Sequence, residues 1–370
     1  MTRNDDLYKH RRMSAIKPGQ SEGGNRSVSL QLWMIGALVP LAFFATGNFV
    51  ESDFATFWIA GRQVLSGAWA EIYNSASAEA FARRFELPAQ IFPYPPHALF
   101  FFLPFALLPT LAGYLVWNLA TAAFFYWSAK PYLPKGFPSI LSVLTPGALI
   151  CFYFGQTGLL FGGLWLMAFR GKWAAVGLMT FKPHLGLLSI FSLRNRGALL
   201  RTILMVLALV AISAALFGPA RWVEFVQTGL GHSTEIGTEK RWLVAGVAPG
   251  MGYGFWGWVP FAVAGALLLA RNVNVFTAAT ATFLISPYGF HYDMPVVCLG
   301  FGLAIHEHWE KMPIHHRIGM ALGFLSPVIA YSGVWWVPPA LLWALWAQTK
   351  YSAGPLAKEL SPVWAAFTQR

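Results

Sequence analysis

Only two cysteines occur in the 370 residues, Cys151 and Cys298, both inside apolar segments, so there is no disulfide framework and no thiolate metal set. Charge is scarce as well: Asp, Glu, Lys and Arg make up 11% of the chain, against about a quarter in soluble domains. Acids are scarcer than bases, 15 against 26. No glycine-rich phosphate loop, G-x-S-x-G elbow or paired Cys-Cys zinc spacing occurs. Any chemistry must therefore rest on carboxylates, histidines and cations.

What is abundant is apolar and aromatic: 56% hydrophobic residues, 31 Phe and 17 Trp, with a mean hydropathy of +0.51. Such a chain cannot fold as a water-soluble globule, and it reads as an all-α polytopic membrane protein. Apolar segments lie near 30–50, 111–129, 139–154, 157–169, 173–193, 199–217, 254–270, 275–290, 293–308, 317–332 and 335–349. The segment 173–193 is broken at Lys182-Pro183, which brings the expectation to about twelve spans, several shorter than the usual ~20 residues. The stretch 92–110 carries five prolines and is expected to be kinked or to lie along the surface.

The charge of +11 does not mark a nucleic-acid binder, because the bases flank apolar runs and form no single stripe. If 92–110 does not cross, 19 of the 26 Lys and Arg share the side of the basic N-terminus, as cytoplasmic loops should. This divides the chain into a basic cytoplasmic tail 1–29, expected to be disordered, a membrane domain 30–349 and a cytoplasmic tail 350–370. Both termini are then cytoplasmic. The first outer loop is 51–110 and the second 218–253, and nine of the fifteen acids fall on the outer side. Within the first loop, 54–66 and 76–86 have helical, amphipathic spacing suited to lying flat on the membrane.

Glu51-Ser52-Asp53 follows the first apolar run directly. A carboxylate at that edge is a catalytic candidate, although acids also serve as ordinary helix-end residues. Lys182 lies in mid-segment before Pro183, where a broken helix can offer a cation to an anionic headgroup; the plainer reading is a lysine snorkelling to the interface. Ser286-Pro287-Tyr288-Gly289-Phe290-His291-Tyr292-Asp293 joins two segments. His291 there can bind a phosphate or carry a proton, or only satisfy its turn, and Asp293 suits the cap of the next helix. Gln156, in Gly155-Gln156-Thr157-Gly158, can bond a sugar hydroxyl or tie off helix ends. His306, His308, His315 and His316 read as a hydrated loop without metal-ligand spacing.

In this order, Ser52-Asp53-Phe54, Leu65-Ser66-Gly67, Ile72-Tyr73, Tyr94-Pro95-Pro96, Leu107-Leu108-Pro109, Phe154-Gly155-Gln156, Phe181-Lys182-Pro183, Ser286-Pro287 and His291-Tyr292 resemble glycosyltransferase family 87. These are integral-membrane enzymes of the GT-C class, and the class includes polyprenol-phosphate-mannose-dependent mannosyltransferases. The resemblance implies a GT-C fold with surface-lying helices in the first outer loop. It implies a polyprenyl-phosphate sugar donor, mannose or a related hexose, and a glycolipid or glycan acceptor. Transfer would invert the anomeric centre at the non-cytoplasmic face of a bacterial plasma membrane, without metal or other cofactor. Asp53 would be the general base, with Lys182 and His291 at the donor phosphate and Glu51, Tyr94, His97, Gln156 and Tyr292 as candidate substrate contacts. A transporter or flippase of a lipid-linked intermediate, or an acyltransferase using His291, are the alternative classes.

Overall fold

Eleven consecutive residues, Pro295 to Ile305, are buried, and the helix they belong to is the axis around which the chain packs. The computed structural model describes residues 21–46, 53–88, 91–228, 254–286 and 288–351. Glu51, most of the two tails and most of the second outer loop lie outside them. The described residues are all-helical, with sixteen α-helices. We label them α1 Ser21–Thr46, α2 Phe54–Leu65, α3 Ser75–Arg83, α4 Leu99–Ala106, α5 Thr110–Ala129, α6 Pro146–Phe154, α7 Gly158–Phe169, α8 Trp173–Leu178, α9 Pro183–Gly186, α10 Arg196–Phe217, α11 220–228, α12 Gly254–Leu269, α13 Val275–Ile285, α14 Pro295–His308, α15 Ile314–Ile329 and α16 Val337–Tyr351.

Helices α7, α13 and α14 are apolar on every face and buried almost throughout, the pattern of a helix enclosed by other helices. Around α14 pack α1, α6, α7, α13 and α15, and α16 closes the far side against α12, α13 and α15. The opposite edge is α10, which buries only Ala198, Thr202, Ser213 and Phe217 and turns Leu200, Leu204, Leu207 and Leu216 outward. That surface belongs in lipid, where exposed leucine costs nothing. Three buried indole N–H groups find carbonyls near helix ends: Trp33 on Leu141 at 3.0 Å, Trp58 on Leu108 at 2.9 Å and Trp165 on Val275 at 2.8 Å. These bonds satisfy the donors inside the protein where no water reaches, while the buried Trp117 N–H has no partner among the described residues.

Among the described residues, Ser27–Ala45 and Arg196–Phe217 are long and apolar enough to cross a membrane singly. A third span results if Pro96–Ala106 and Thr110–Tyr132, bent by 114°, count as one. The other apolar segments form shorter helices because Pro and Gly interrupt them: Pro146, Pro183 and Pro295 each open a helix, and Gly155 ends one. The expected kink in 92–110 is present, with Pro104 inside α4 and Pro109 held extended before α5.

Two expectations are corrected. The segment 54–66 is not a helix with one face in lipid, because nine of the twelve residues of α2 are buried, the polar Thr56 and Gln63 among them. His306, His308, His315 and His316 are not in a loop, although His315 is exposed. They occupy the last turn of α14 and the first of α15, where His316 is buried 3.0 Å from the Tyr351 hydroxyl.

Candidate active site

Three helix breaks meet at one place, and each contributes a polar side chain. The first lies between α6 and α7. Gly155 ends α6 at φ +58°, a left-handed conformation that glycine adopts freely, and Gln156 and Thr157 follow. The second is Lys182 between α8 and α9, held out of the helical region at φ −130°, ψ 70°, as the following Pro183 favours. The third is the turn His291–Asp293 ahead of α14. The first and third are locked together at Gly158, where a Cβ would lie 1.9 Å from the Tyr292 carbonyl oxygen. No larger residue lets the start of α7 approach the turn so closely.

Asp53 stands at the head of α2 and is half-buried. It occupies the N-cap position, yet its side chain makes no cap bond to its own helix. Gln156 Nε2 donates to Asp53 Oδ2 at 2.8 Å instead. The other end of that amide is occupied too, since Tyr94 Oη donates to Gln156 Oε1 at 3.3 Å and also lies 3.3 Å from Thr157 Oγ1. Of the two roles read from the sequence, the tying-off of a helix end is present, with Gln156 Oε1 accepting from the Thr157 N–H at 3.3 Å. Tyr94 is held from behind by Tyr73, whose hydroxyl donates to the Tyr94 carbonyl at 2.7 Å. Burial first, and then nearby Glu224, push the Tyr73 phenol up from its ordinary value and keep it a donor.

Lys182 does not snorkel. It is 5% exposed, and its Nζ lies 2.5 Å from Oδ1 of Asp293, itself 2% exposed. The rings of Tyr94 and Tyr292 lie 5.3 and 5.5 Å from the ammonium, so the cation sits between two π-faces. Asp293 does not cap α14, whose N-cap is Met294. One oxygen takes Lys182 and the other accepts the Phe290 N–H at 3.4 Å. The ion pair therefore ties the second break to the turn that carries His291 and Tyr292.

His291 is buried, with Nε2 2.7 Å from the hydroxyl of Tyr331, and its ring stands edge-on to Phe154. His97 is not drawn into this group. It is 3% exposed, with Nε2 3.3 Å from Thr180 Oγ1 and its ring stacked on Trp222 of α11. Of the candidates within the described residues, Asp53, Gln156, Tyr94, Lys182 and Tyr292 are joined through direct contacts, and His291 adjoins them in the turn. Asp293, Thr157, Tyr73 and Tyr331 complete the arrangement. Asp293 could have been found as an acid at a segment edge able to neutralise a mid-segment lysine; Tyr331 carries no signal in Ala330-Tyr331-Ser332.

These features describe a membrane protein with a polar site assembled at broken helices, the kind of site that places charge where lipid and protein meet. The family model of glycosyltransferase family 87 matches residues 92–287, more than half of the chain, and the chain belongs to that family. It is accordingly a glycosyltransferase, acting on a sugar donor and an acceptor. No curated protein and no solved structure matches it. The matched stretch includes Tyr94, His97, Gln156 and Lys182 and leaves Asp53, His291, Tyr292 and Asp293 outside.

Proposed function

We propose that the chain transfers a hexose, mannose or a close relative, from a polyprenyl-phosphate donor to a glycolipid or glycan acceptor at the non-cytoplasmic face, with inversion. The observation that carries the reading is the convergence of a half-buried carboxylate, Asp53, with the His291–Tyr292 turn and the Lys182 break. Asp53 is held at 2.8 Å by an amide and not spent on capping. In this reading an acceptor hydroxyl attacks the anomeric carbon from the face opposite the phosphate. The new C–O bond forms as the anomeric carbon–phosphate oxygen bond breaks, its electron pair leaves on the phosphate, and the hydroxyl proton passes to Asp53. A hydroxyl is a poor nucleophile until a positioned base relieves it of that proton.

The leaving lipid phosphate gains one negative charge as the bond breaks. We place His291 nearest that charge, with Lys182 behind it. Interactions that strengthen only as this charge develops raise the rate. Because Asp293 neutralises Lys182, the lysine contributes as half of a dipole and not as a bare cation. The scheme needs no metal. With it go a GT-C arrangement of about twelve spans, α3 lying at the outer surface, cytoplasmic termini and a bacterial plasma membrane as the site of action. Glu51 and His97 remain candidate substrate contacts, the former outside the described residues.

The test is purified protein with radiolabelled polyprenyl-phosphate-mannose and a membrane-lipid extract, comparing wild type with Asp53→Asn. Wild type is expected to make a labelled product, and the variant to be slower by about 10²–10⁴-fold, the usual worth of a general base. Full activity in Asp53→Asn would remove the base from the scheme. Donor bound by wild type but never transferred would favour the carrier reading, which the three helix breaks also suit, since transporters bind substrates at discontinuous helices.

A further inference from the structure

We infer that Tyr331 is a positioning residue for His291, setting which ring nitrogen faces the donor; the inference rests on the function proposed above. Tyr331 follows the last turn of α15, forty residues from His291 in sequence. Its backbone is fixed there: the Tyr331 N–H donates to Val328 at 3.1 Å, and Ser332 Oγ donates to Ile329 at 2.8 Å. The ring meets Phe43 of α1 at 4.9 Å and the His291 ring at 5.1 Å, almost perpendicular at 89°. A phenylalanine would satisfy both ring contacts. What phenylalanine lacks is the hydroxyl, and that oxygen lies 2.7 Å from His291 Nε2.

A histidine that meets a ligand through one nitrogen is set in ring rotation and tautomer by the bond made at the other. With Nε2 engaged by Tyr331, Nδ1 is the nitrogen left for the phosphate, and because it has no surface open to solvent the donor reaches it only by parting the side chains around it. When the Tyr331 hydroxyl donates to Nε2, the proton of the neutral ring resides on Nδ1. His291 is then a hydrogen-bond donor to the leaving oxygen without needing a positive charge. Tyr331 also joins the far end of α15 and the inner face of α1 to the turn, so two elements outside the matched stretch control how the histidine is presented.

The experiment measures transfer from polyprenyl-phosphate-mannose by full-length wild type, Tyr331→Phe, His291→Gln, the double variant, and Tyr351→Phe. The last removes a similar tyrosine–histidine contact, at His316, at the other end of α15. The expected result is a 10–100-fold lower kcat for Tyr331→Phe, the range seen when an orienting partner is removed, with donor KM within twofold of wild type. The double variant should match His291→Gln, because a residue acting only through the histidine has nothing left to position, and Tyr351→Phe should match wild type. An unchanged kcat in Tyr331→Phe, or a double variant in which the two losses multiply, overturns the inference while leaving the function intact. A wild type that transfers nothing overturns the function, and the inference with it.

Discussion

Beside Asp53 stands a glutamine, whose amide donates at 2.8 Å and so orients one carboxylate oxygen. Replacing Gln156 by Leu, of similar bulk, is expected to lower kcat about 10–100-fold, as for other orienting partners, and to cost about 1–3 kcal/mol of stability for the polar groups it strands; equal activity in the two proteins would show that Asp53 needs no such hold. Lys182 and Asp293 make a different prediction. Breaking a buried ion pair by removing one partner costs about 3–5 kcal/mol, because the other charge is stranded, whereas replacing both by apolar residues is often neutral. Lys182→Met should therefore melt well below wild type in detergent, and Lys182→Met/Asp293→Leu should recover much of the loss. Activity recovered with the fold would mean that the pair only holds the turn; a stable but slow double variant would mean that its field reaches the phosphate.

The breaks between helices are where the elements meet the chemistry, and two glycines make that possible. At Gly158 an added Cβ would sit 1.9 Å from the Tyr292 carbonyl, and at Gly155 it would sit 2.6 Å from the Phe54 Cβ in a backbone of φ +58°. Gly218 also has positive φ, +88°, but nothing lies within 4 Å of its would-be Cβ. Alanine at 218 should cost only the conformational penalty of a backbone at φ 88°, ψ 142°, about 1–3 kcal/mol. Alanine at 158 should push α7 from the turn and abolish folded yield, read by size-exclusion chromatography. Comparable yields from the two variants would contradict the packing described here. These breaks were visible in the sequence as Gly155-Gln156-Thr157-Gly158, Lys182-Pro183 and the Ser286-Pro287 segment, since Pro and Gly punctuate helices wherever they occur. That they converge was not visible, because residues 103 and 111 positions apart are joined only by packing. The same limit explains the reading of 54–66 as a surface helix: amphipathic spacing does not say whether the remaining face meets water or another helix.

Across the whole molecule, α15 links the site to its opposite end. Tyr331 at the α15 C-terminus adjoins His291, while Glu310 and Lys311 lie just before its N-terminus. The charge distribution predicts that these ends face opposite sides of the membrane, with the site outward. Cys151 and Cys298 are both buried, so single introduced cysteines report cleanly. Ser332→Cys should react with a membrane-impermeant maleimide on intact cells, and Glu310→Cys only after permeabilisation. The reverse pattern would place the site inside and exclude a donor delivered from the outer leaflet.

The sequence by itself determined the solvent and the chemical repertoire. Scarce charge and long apolar runs demand a membrane, and Pro and Gly beside Gln156, Lys182 and His291 demand breaks in helices that carry polar residues, because both are properties of local composition. The tertiary structure alone decided what each group does there: that Asp53 is held by Gln156 and not capping α2, that Lys182 is matched by Asp293, and that Tyr331 stands against His291. Those are pairings between distant segments, and a chain specifies them only through the close approach of helices that glycine permits and side-chain packing fixes.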